Sequence, residues 1–384
     1  MRILVEVVGI FGVLLGVALA IFEGQYRLRP GNCLEINNGK WEVYLNPDRV
    51  VIEGQWLVHN PTDRFDLFLA DVSVEPKLLS RGSLQGIEIK TDLYSHHPDQ
   101  PRRYDQYWDA YIVKARKSTE IRLKITIGGF SLDQLETCWI ALHSVVYGPG
   151  GRTPRTDHVM IPLQFPHQEP CWRTVGAVQV LPIRTHLLSA IDDPGAVVEK
   201  YAMPHAQPGD IVTIGETPVA IMQSRWRYPG DVRPGWLAKR LCYYFLPTSS
   251  LATACGLQVL VDEVGAWRVG FAFVVGALAK IFLRRPGVFY ELAGEQARLI
   301  DDVTGTLPPY DQFIVLGPHQ PQVVVDQIKA RTGLETAIVD VNDLGGVKIV
   351  ARTEGADDKI LEQALKKNPA GNANEQTPIV LIRP

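Results

Sequence analysis

Gly209-Asp210-Ile211-Val212-Thr213-Ile214-Gly215-Glu216-Thr217-Pro218-Val219-Ala220-Ile221 decides the reading of the C-terminal half. Gln207-Pro208-Gly209-Asp210 is a turn, because proline presets φ and glycine accepts conformations other residues avoid. The apolar run Ile211–Ile214 that follows is short and bounded by glycine, as a buried strand is. A short polar loop then opens at Glu216. Upstream, Val175 to Pro182 reads as a strand and Ile191 to Tyr201 as a helix. The helix opens near Asp192-Asp193-Pro194, with acids at the positive end of the dipole and proline in the first turn. Downstream, helices are expected over Trp236–Phe245, Ser250–Val264 and Val323–Thr332. Strands are expected at Phe313–Leu316, Ala337–Asp340, Val347–Val350 and Ile379–Ile382. Residues 175–384 therefore read as one mixed α/β domain.

The grammar differs before residue 168. Trp41–Leu45, Gln55–His59 and Glu120–Ile125 alternate apolar and polar residues, the period of a sheet with one buried face. Asn46-Pro47-Asp48 and Asn60-Pro61-Thr62-Asp63 punctuate the strands. Short strands at regular spacing read as a β-sandwich over residues 30–168. The loop after Tyr94, with His96 and His97, is expected to be solvated, since no third metal ligand lies at useful spacing. The sandwich shows no catalytic constellation. Pro166 to Pro170 marks the domain boundary.

Residues 1–24 read as a transmembrane anchor. Ile3 to Phe22 is apolar except for Glu6, and twenty helical residues span about 30 Å of hydrocarbon. Ala18-Leu19-Ala20 also has the form of a signal cleavage site, which is the alternative. Arg27, Arg29, Lys40 and Arg49 follow the span and lean towards a single pass with a cytoplasmic C-terminal body. A second apolar stretch, Val269 to Leu283, contains Lys280 and is bracketed by Arg268, Arg284 and Arg285. It is short for a span. A buried helix is expected there, and a helix lying on a membrane surface is the alternative.

The chain has 384 residues, 39 basic against 42 acidic, for a net charge of −3. That balance argues against a general nucleic-acid binder and excludes no local anion site. Hydrophobic residues are 46% and charged ones 21%, which excludes a disordered chain. The five cysteines form no CxxC pair, so neither a zinc ribbon nor a disulfide scaffold is expected. No Walker loop, GxGxxG or GxSxG occurs.

The segment quoted at the outset resembles the strand-and-loop segment of the coenzyme F(420)-0:L-glutamate gamma-glutamyl ligase family, where a Gly-Asp pair opens a hydrophobic strand. Val180 to Thr185 and Asp192-Asp193 are similar to that family's opening. Thr336–Asp340 resembles its strand ending in a metal-binding aspartate. Asn368-Pro369-Ala370-Gly371-Asn372 and Glu375-Gln376-Thr377-Pro378 are similar to its Asn-Pro-x-Gly and Glu-x-Thr-Pro segments. The whole pattern, including Ile300 to Tyr310, resembles a membrane-anchored branch found in cyanobacteria. The resemblance covers residues 175–384 and leaves out the span and the sandwich. It implies an α+β homodimer that uses GTP and Mg²⁺ or Mn²⁺ to activate a carboxyl group and add glutamate to it.

Candidate residues follow from that resemblance and from the chemistry. Asp340 ends a strand, and Asp343 follows in a turn, where α/β ligand sites form. Asp301 and Asp302 are adjacent carboxylates, with the Thr304 and Thr306 hydroxyls close behind for phosphate. The family's Ala-Gly-x-Asp metal position meets Ala293-Gly294-Glu295-Gln296, so Glu295 is a further metal candidate. Where the family carries a lysine-rich loop, this chain has Glu216-Thr217-Pro218-Val219-Ala220. Thr217 and the nearest cations, Arg225 and Arg227, are the candidates for the nucleotide. Cys255 is expected in the core of a helix capped by Ser249 or Ser250. Two functions are carried forward: a ligase-like enzyme with an unknown acceptor, and a non-catalytic membrane scaffold on a degenerate ligase domain.

Overall fold

The computed structural model describes residues 2–28, 31–105, 107–167, 169–247, 249–300, 307–341, 346–371 and 375–384. It opens on α1 (Arg2–Arg27). Within it, Gly9–Arg27 is long and apolar enough to cross a membrane, and none of that stretch is buried in the protein. A signal sequence meets the same description.

The all-β domain is built from β1 (Glu35–Leu45), β2 (Arg49–His59), β3 (Leu67–Ser80), β4 (Glu88–His96), β5 (Tyr111–Val113), β6 (Ser118–Gly128), β7 (Leu135–Gly148) and β8 (Gly151–Pro162). These form two four-stranded antiparallel sheets, in the orders β1-β2-β6-β4 and β5-β3-β7-β8. In β6 every second residue from Thr119 to Ile127 is buried, as the sequence alternation requires. Gly54 of β2 lies under the Trp41 ring, where a Cβ would come within 2.0 Å of a ring carbon. Trp41 in turn meets Trp56 edge-on at 4.9 Å. His97 corrects the expectation of a solvated loop. It is buried, stacked on Tyr111 at 3.7 Å, with Nδ1 2.7 Å from Thr119 Oγ1.

The second domain contains β9 (Arg173–Val175), β10 (Val178–Ile183), α2 (Pro194–Tyr201), β11 (Ile211–Gly215), α3 (Glu216–Met222), β12 (Trp226–Arg227), α4 (Trp236–Leu241), α5 (Ala254–Val264), α6 (Ala266–Phe282), α7 (Val288–Ala293), α8 (Gln296–Leu299), β13 (Ile314–Val315), α9 (Pro321–Thr332), β14 (Glu335–Val341), β15 (Val347–Arg352), α10 (Asp358–Leu365) and β16 (Ile379–Arg383). Six strands form a mixed sheet in the order β15-β14-β11-β16-β10-β9. One face packs against α2 and α9 through Ile214, Ile338, Val198 and Val325, and the other against α10 through Ile382, Ala337 and Leu361. Asp193 caps α2 by accepting the Ala196 N–H at 2.8 Å, with Pro194 next to it, as its sequence predicts.

The structure departs from the sequence reading at three places here. The expected polar loop at Glu216 is the helix α3. Ser249 caps only a 3₁₀ turn, and Thr253 caps α5 by accepting the Gly256 N–H. The expected buried helix near Val269 is half-exposed: Val269, Ala272 and Ala279 are buried, while Trp267, Phe271 and Leu278 face solvent.

The two domains share an aromatic core. Trp139 and His158 from the β7–β8 pair meet Trp226, Tyr228 and Phe313. Met160, Leu187, Ile221 and Tyr310 complete the cluster. Trp139 Nε1 donates to His158 Nδ1 at 3.1 Å, which requires the neutral imidazole. Burial pushes the His158 pKa down to about 4, and the charges on His143 and Lys77 push the same way.

Two outcomes are expected. Gly54→Ala forces the Trp41 ring out of place and lowers stability by about 1–3 kcal/mol; an unchanged denaturant midpoint would contradict the close packing. For His158, the folded pKa lies below the unfolded one of about 6.5. Its stabilisation is complete above that value and is lost as pH falls towards 4. Between pH 7 and pH 5 the loss is about 2 kcal/mol. His97, also lowered to about 4 by burial, shares this window. His158→Gln therefore flattens part of the pH dependence, read as the urea midpoint at each pH, and leaves the part due to His97.

Candidate functional site

Strand directions bring chemistry to one end of the six-stranded sheet. β11 and β14 are parallel, with Gly215 opposite Val339. β16 is antiparallel to both β10 and β11, so β10 runs with β11 and β14. The carboxyl ends of these three strands, and the amino end of β16, share one side. Ligands of open α/β sheets bind outside such carboxyl ends. Arg184 and Thr185 leave β10 there, Glu216 and Thr217 leave β11, Asp340 is the penultimate residue of β14, and Glu375 and Thr377 precede β16. Backbone bonds fix this end: Gly215 N–H donates to Pro378 O and Thr185 N–H to Gln376 O, both at 3.0 Å.

A cavity of about 400 Å³ opens at this end, beside the connector between the domains. Arg173 and Arg184 line it from β9 and the end of β10, Glu375 and Thr377 from the approach to β16, and His167 and Cys171 from the connector. Two guanidinium groups suit a phosphate or a carboxylate, each offering paired donors. One carboxylate beside them suits an ammonium group. Behind the cavity a buried chain holds the loop after Arg184. His186 Nε2 lies 2.9 Å from Asp192 Oδ1, and His186 Nδ1 lies 2.6 Å from the Tyr201 hydroxyl. Asp192 Oδ2 also accepts the Ser189 N–H at 2.8 Å. Burial raises the Tyr201 pKa, so the phenol stays protonated.

The candidates from sequence fall in three places. Asp340 is half-buried, opposite Lys348 in the β14–β15 register, and its side chain makes no hydrogen bond or ion pair with another described residue. Thr217 sits in the first turn of α3, next to the buried Glu216. These two share the sheet end. Arg225 and Arg227 lie instead on or beside β12, in the separate β12–β13 ribbon. Arg225 donates from Nε to Gly317 O at 2.7 Å and from a terminal nitrogen to Glu263 at 2.6 Å. Arg227 is exposed and donates to Trp226 O at 3.3 Å. Glu295 is exposed at the start of α8, in the helical part of the domain. Asp301, Asp302, Thr304, Thr306 and Asp343 lie outside the described residues. Among the described residues, no three His, Cys, Asp or Glu side chains converge for a metal. Cys255 is half-buried with Sγ 3.9 Å from Pro229 O, as a core thiol.

Sequence reasoning missed Arg173, Arg184, Glu375 and Glu216 as site residues. Arg184 and Glu375 carried a signal, since both stand in segments that resemble the ligases. Arg173 carried none, because only the β9–β10 pairing brings it to the cavity.

Comparison with known proteins gives one family. Residues 35–165 match the family model described as F420-0:gamma-glutamyl ligase, N-terminal Ig-like domain. No curated protein matches the chain. Among solved structures, the yeast GGA1 GAE domain is 9% identical over 35% of this chain and 96% of its own, with a TM-score of 0.22. The GAE domain of GGA2p from Saccharomyces cerevisiae is 7% identical, over 34% and 98%, with a TM-score of 0.20. The collagen-binding subdomain of the Enterococcus faecalis surface protein ACE is 9% identical, over 35% and 99%, with a TM-score of 0.15. The stretch matched by the family model is the sandwich, which the resemblance of residues 175–384 had left out. Residues 35–165 of this chain are thus similar to the N-terminal Ig-like domain of F420-0:gamma-glutamyl ligases, which supports a ligase-like relationship at a coarse level.

Proposed function

We propose that this chain is a membrane-anchored, ligase-like enzyme that joins glutamate, or a similar amino acid, to a carboxylated acceptor at the expense of GTP. The observation that carries this reading is the sheet end. There Arg173, Arg184 and Glu375 share one cavity, while Thr217 opens α3 after β11 and Asp340 lies near the end of β14, three strands from β10 in the sheet order. The reaction requires the terminal phosphoryl group to pass to a carboxylate oxygen of the acceptor. The amine of the incoming amino acid then attacks the acyl carbon, loses a proton and releases phosphate. Each step gathers negative charge, and preorganised cations lower its cost. Arg173 and Arg184 hold the anionic groups in this scheme, and Glu375 holds the amino acid's ammonium group before attack. Asp340 is a hard oxygen donor with no other described partner, which suits Mg²⁺ or Mn²⁺ bound by one carboxylate and the phosphates. Such an ion would offset phosphate charge. α1 is the single-pass anchor in this reading, the body is cytoplasmic, and the active form is a homodimer.

A non-catalytic scaffold is the second reading. It is favoured by Arg225, whose guanidinium is committed to Glu263 and Gly317.

The full chain in detergent serves for the test, because a cut near residue 175 would expose the aromatic core shared by the domains. Titration calorimetry with GTP is expected to show binding that needs Mg²⁺ or Mn²⁺. Asp340→Ala abolishes the metal dependence, and Arg184→Ala weakens binding by about tenfold or more, the loss of a charge-assisted hydrogen bond. No nucleotide binding by the folded wild-type chain sinks the GTP-dependent reading and leaves the scaffold.

A further inference from the structure

We propose that α6 lies on an anionic lipid surface, as a second membrane contact of the C-terminal domain. Trp267, Phe271, Val274, Leu278, Ile281 and Phe282 are all exposed, between 49% and 91%. Their spacing of three and four residues makes one continuous stripe along the helix. The opposite side is apolar as well and is already covered. Val269 and Ala272 are fully buried, and a Cβ on Gly276 would stand 3.0 Å from Phe289 of α7. A helix apolar on all sides is normally covered on all sides. Here the outer stripe has no cover. Tyr244 packs edge-on against Phe273, on a different side of the same helix, at 5.4 Å and is itself exposed, as is Tyr243. At about 150–250 Å² per aromatic side chain, Trp267, Phe271 and Phe282 alone expose more than roughly 300 Å². Patches of that size mark interaction sites.

Charge selects the occupant. Ala266–Arg285 carries Arg268, Lys280, Arg284 and Arg285 and no carboxylate. A second copy of this helix would offer no acid to those cations, and the stripe is shorter than a stable coiled coil needs. Arg268 is bonded to Leu292 O and Arg285 to Glu291, so Arg284 is the cation at the stripe's end that an anionic headgroup layer meets. Arg284 is exposed just past the stripe's end, where a long cation can reach headgroups while its stem covers apolar surface. Trp and Tyr at the margin match the residues enriched at membrane interfaces. The helix lies along the surface rather than crossing it. Its 17 residues reach only about 26 Å. At Gly265, whose φ of +90° favours glycine, the chain turns by 113° from α5, which exposes Asp262 and Glu263.

The inference rests on the proposed anchor only in placing the chain at a membrane, and the two are read separately. The full chain is incorporated into vesicles of phosphatidylcholine with about 30% anionic phosphatidylglycerol. Flotation after a carbonate wash reports α1. Quenching by acyl-chain bromines, measured as wild type minus Trp267→Phe, reports α6. The expected result is that the Trp267 emission is blue-shifted, quenched by brominated lipid and shielded from aqueous iodide. Leu278→Asp, at an exposed position, reverses all three while flotation is unchanged. Emission of Trp267 that iodide quenches and bromines do not overturns the proposal. So does shielding from both quenchers, which would mean that protein covers the stripe.

Discussion

The last strand of the chain holds the second domain together. β16 sits between β10 and β11, with Ile379 to Ile382 fully buried and bonded on both sides. No local signal could seat it there, because its partners lie about two hundred residues earlier. Such pairing is paid for in loop entropy, so its contacts must be strong. One is electrostatic. Arg383 donates from Nε and a terminal nitrogen to the Asp210 carboxylate at 2.9 and 2.8 Å, and Asp210 is 2% exposed. That buried carboxylate is tolerated because it is paired and hydrogen-bonded. It also accepts the Gln207 N–H at 2.8 Å, so the same group closes the turn into β11. Arg383 in turn stacks over Trp172 at 4.2 Å, which ties in the start of β9.

From that seat the sheet end follows. With β16 in place, the end of β10 is bonded to the approach to β16 through Thr185 and Gln376, and Gly215 is bonded to Pro378. Arg184, Glu375 and Thr377 then face one cavity. The connector contributes its wall because the domains cannot drift apart. Phe313 and Tyr228 lock around His158 with ring separations of 5.1 to 5.5 Å. Phe165 at the sandwich's exit meets His186, and Lys200 of α2 lies over Phe165. The Ig-like domain is therefore part of the support of the cavity rather than a spacer beside it.

The ligase-like relationship is supported by the family model over one stretch, and the resemblance read from the sequence covers another. Of the segments on which the resemblance of residues 175–384 rests, those containing Arg184 and Glu375 reach the cavity, while the family model matches the sandwich. These stretches do not overlap, and the shared aromatic core joins them physically. What departs from the ligases also has a physical form. Arg225, the cation nearest to the replaced lysine-rich loop, is a strut between the β12–β13 ribbon and α5. Arg173 and Arg184 line the cavity.

The sequence by itself determined the local elements. Alternation set the strands of the sandwich, Asp193 and Pro194 set the start of α2, and the glycine-bounded run Ile211–Ile214 set a buried strand. These signals are legible because propensity, capping and period act within a few residues. It also marked Asp340 at a strand's end and the segments containing Arg184 and Glu375. Tertiary structure alone decided the rest. Strand order placed Arg173 beside Arg184, and domain contact took His158 out of water. His97 looked solvated beside His96, yet packing turned it inward onto Tyr111. The apolar stretch after Val269 looked wholly buried, and the fold covered only one side of it. Hydrophobicity measures what a residue gains by leaving water, but only the packed chain decides which residues find a neighbour to leave it for.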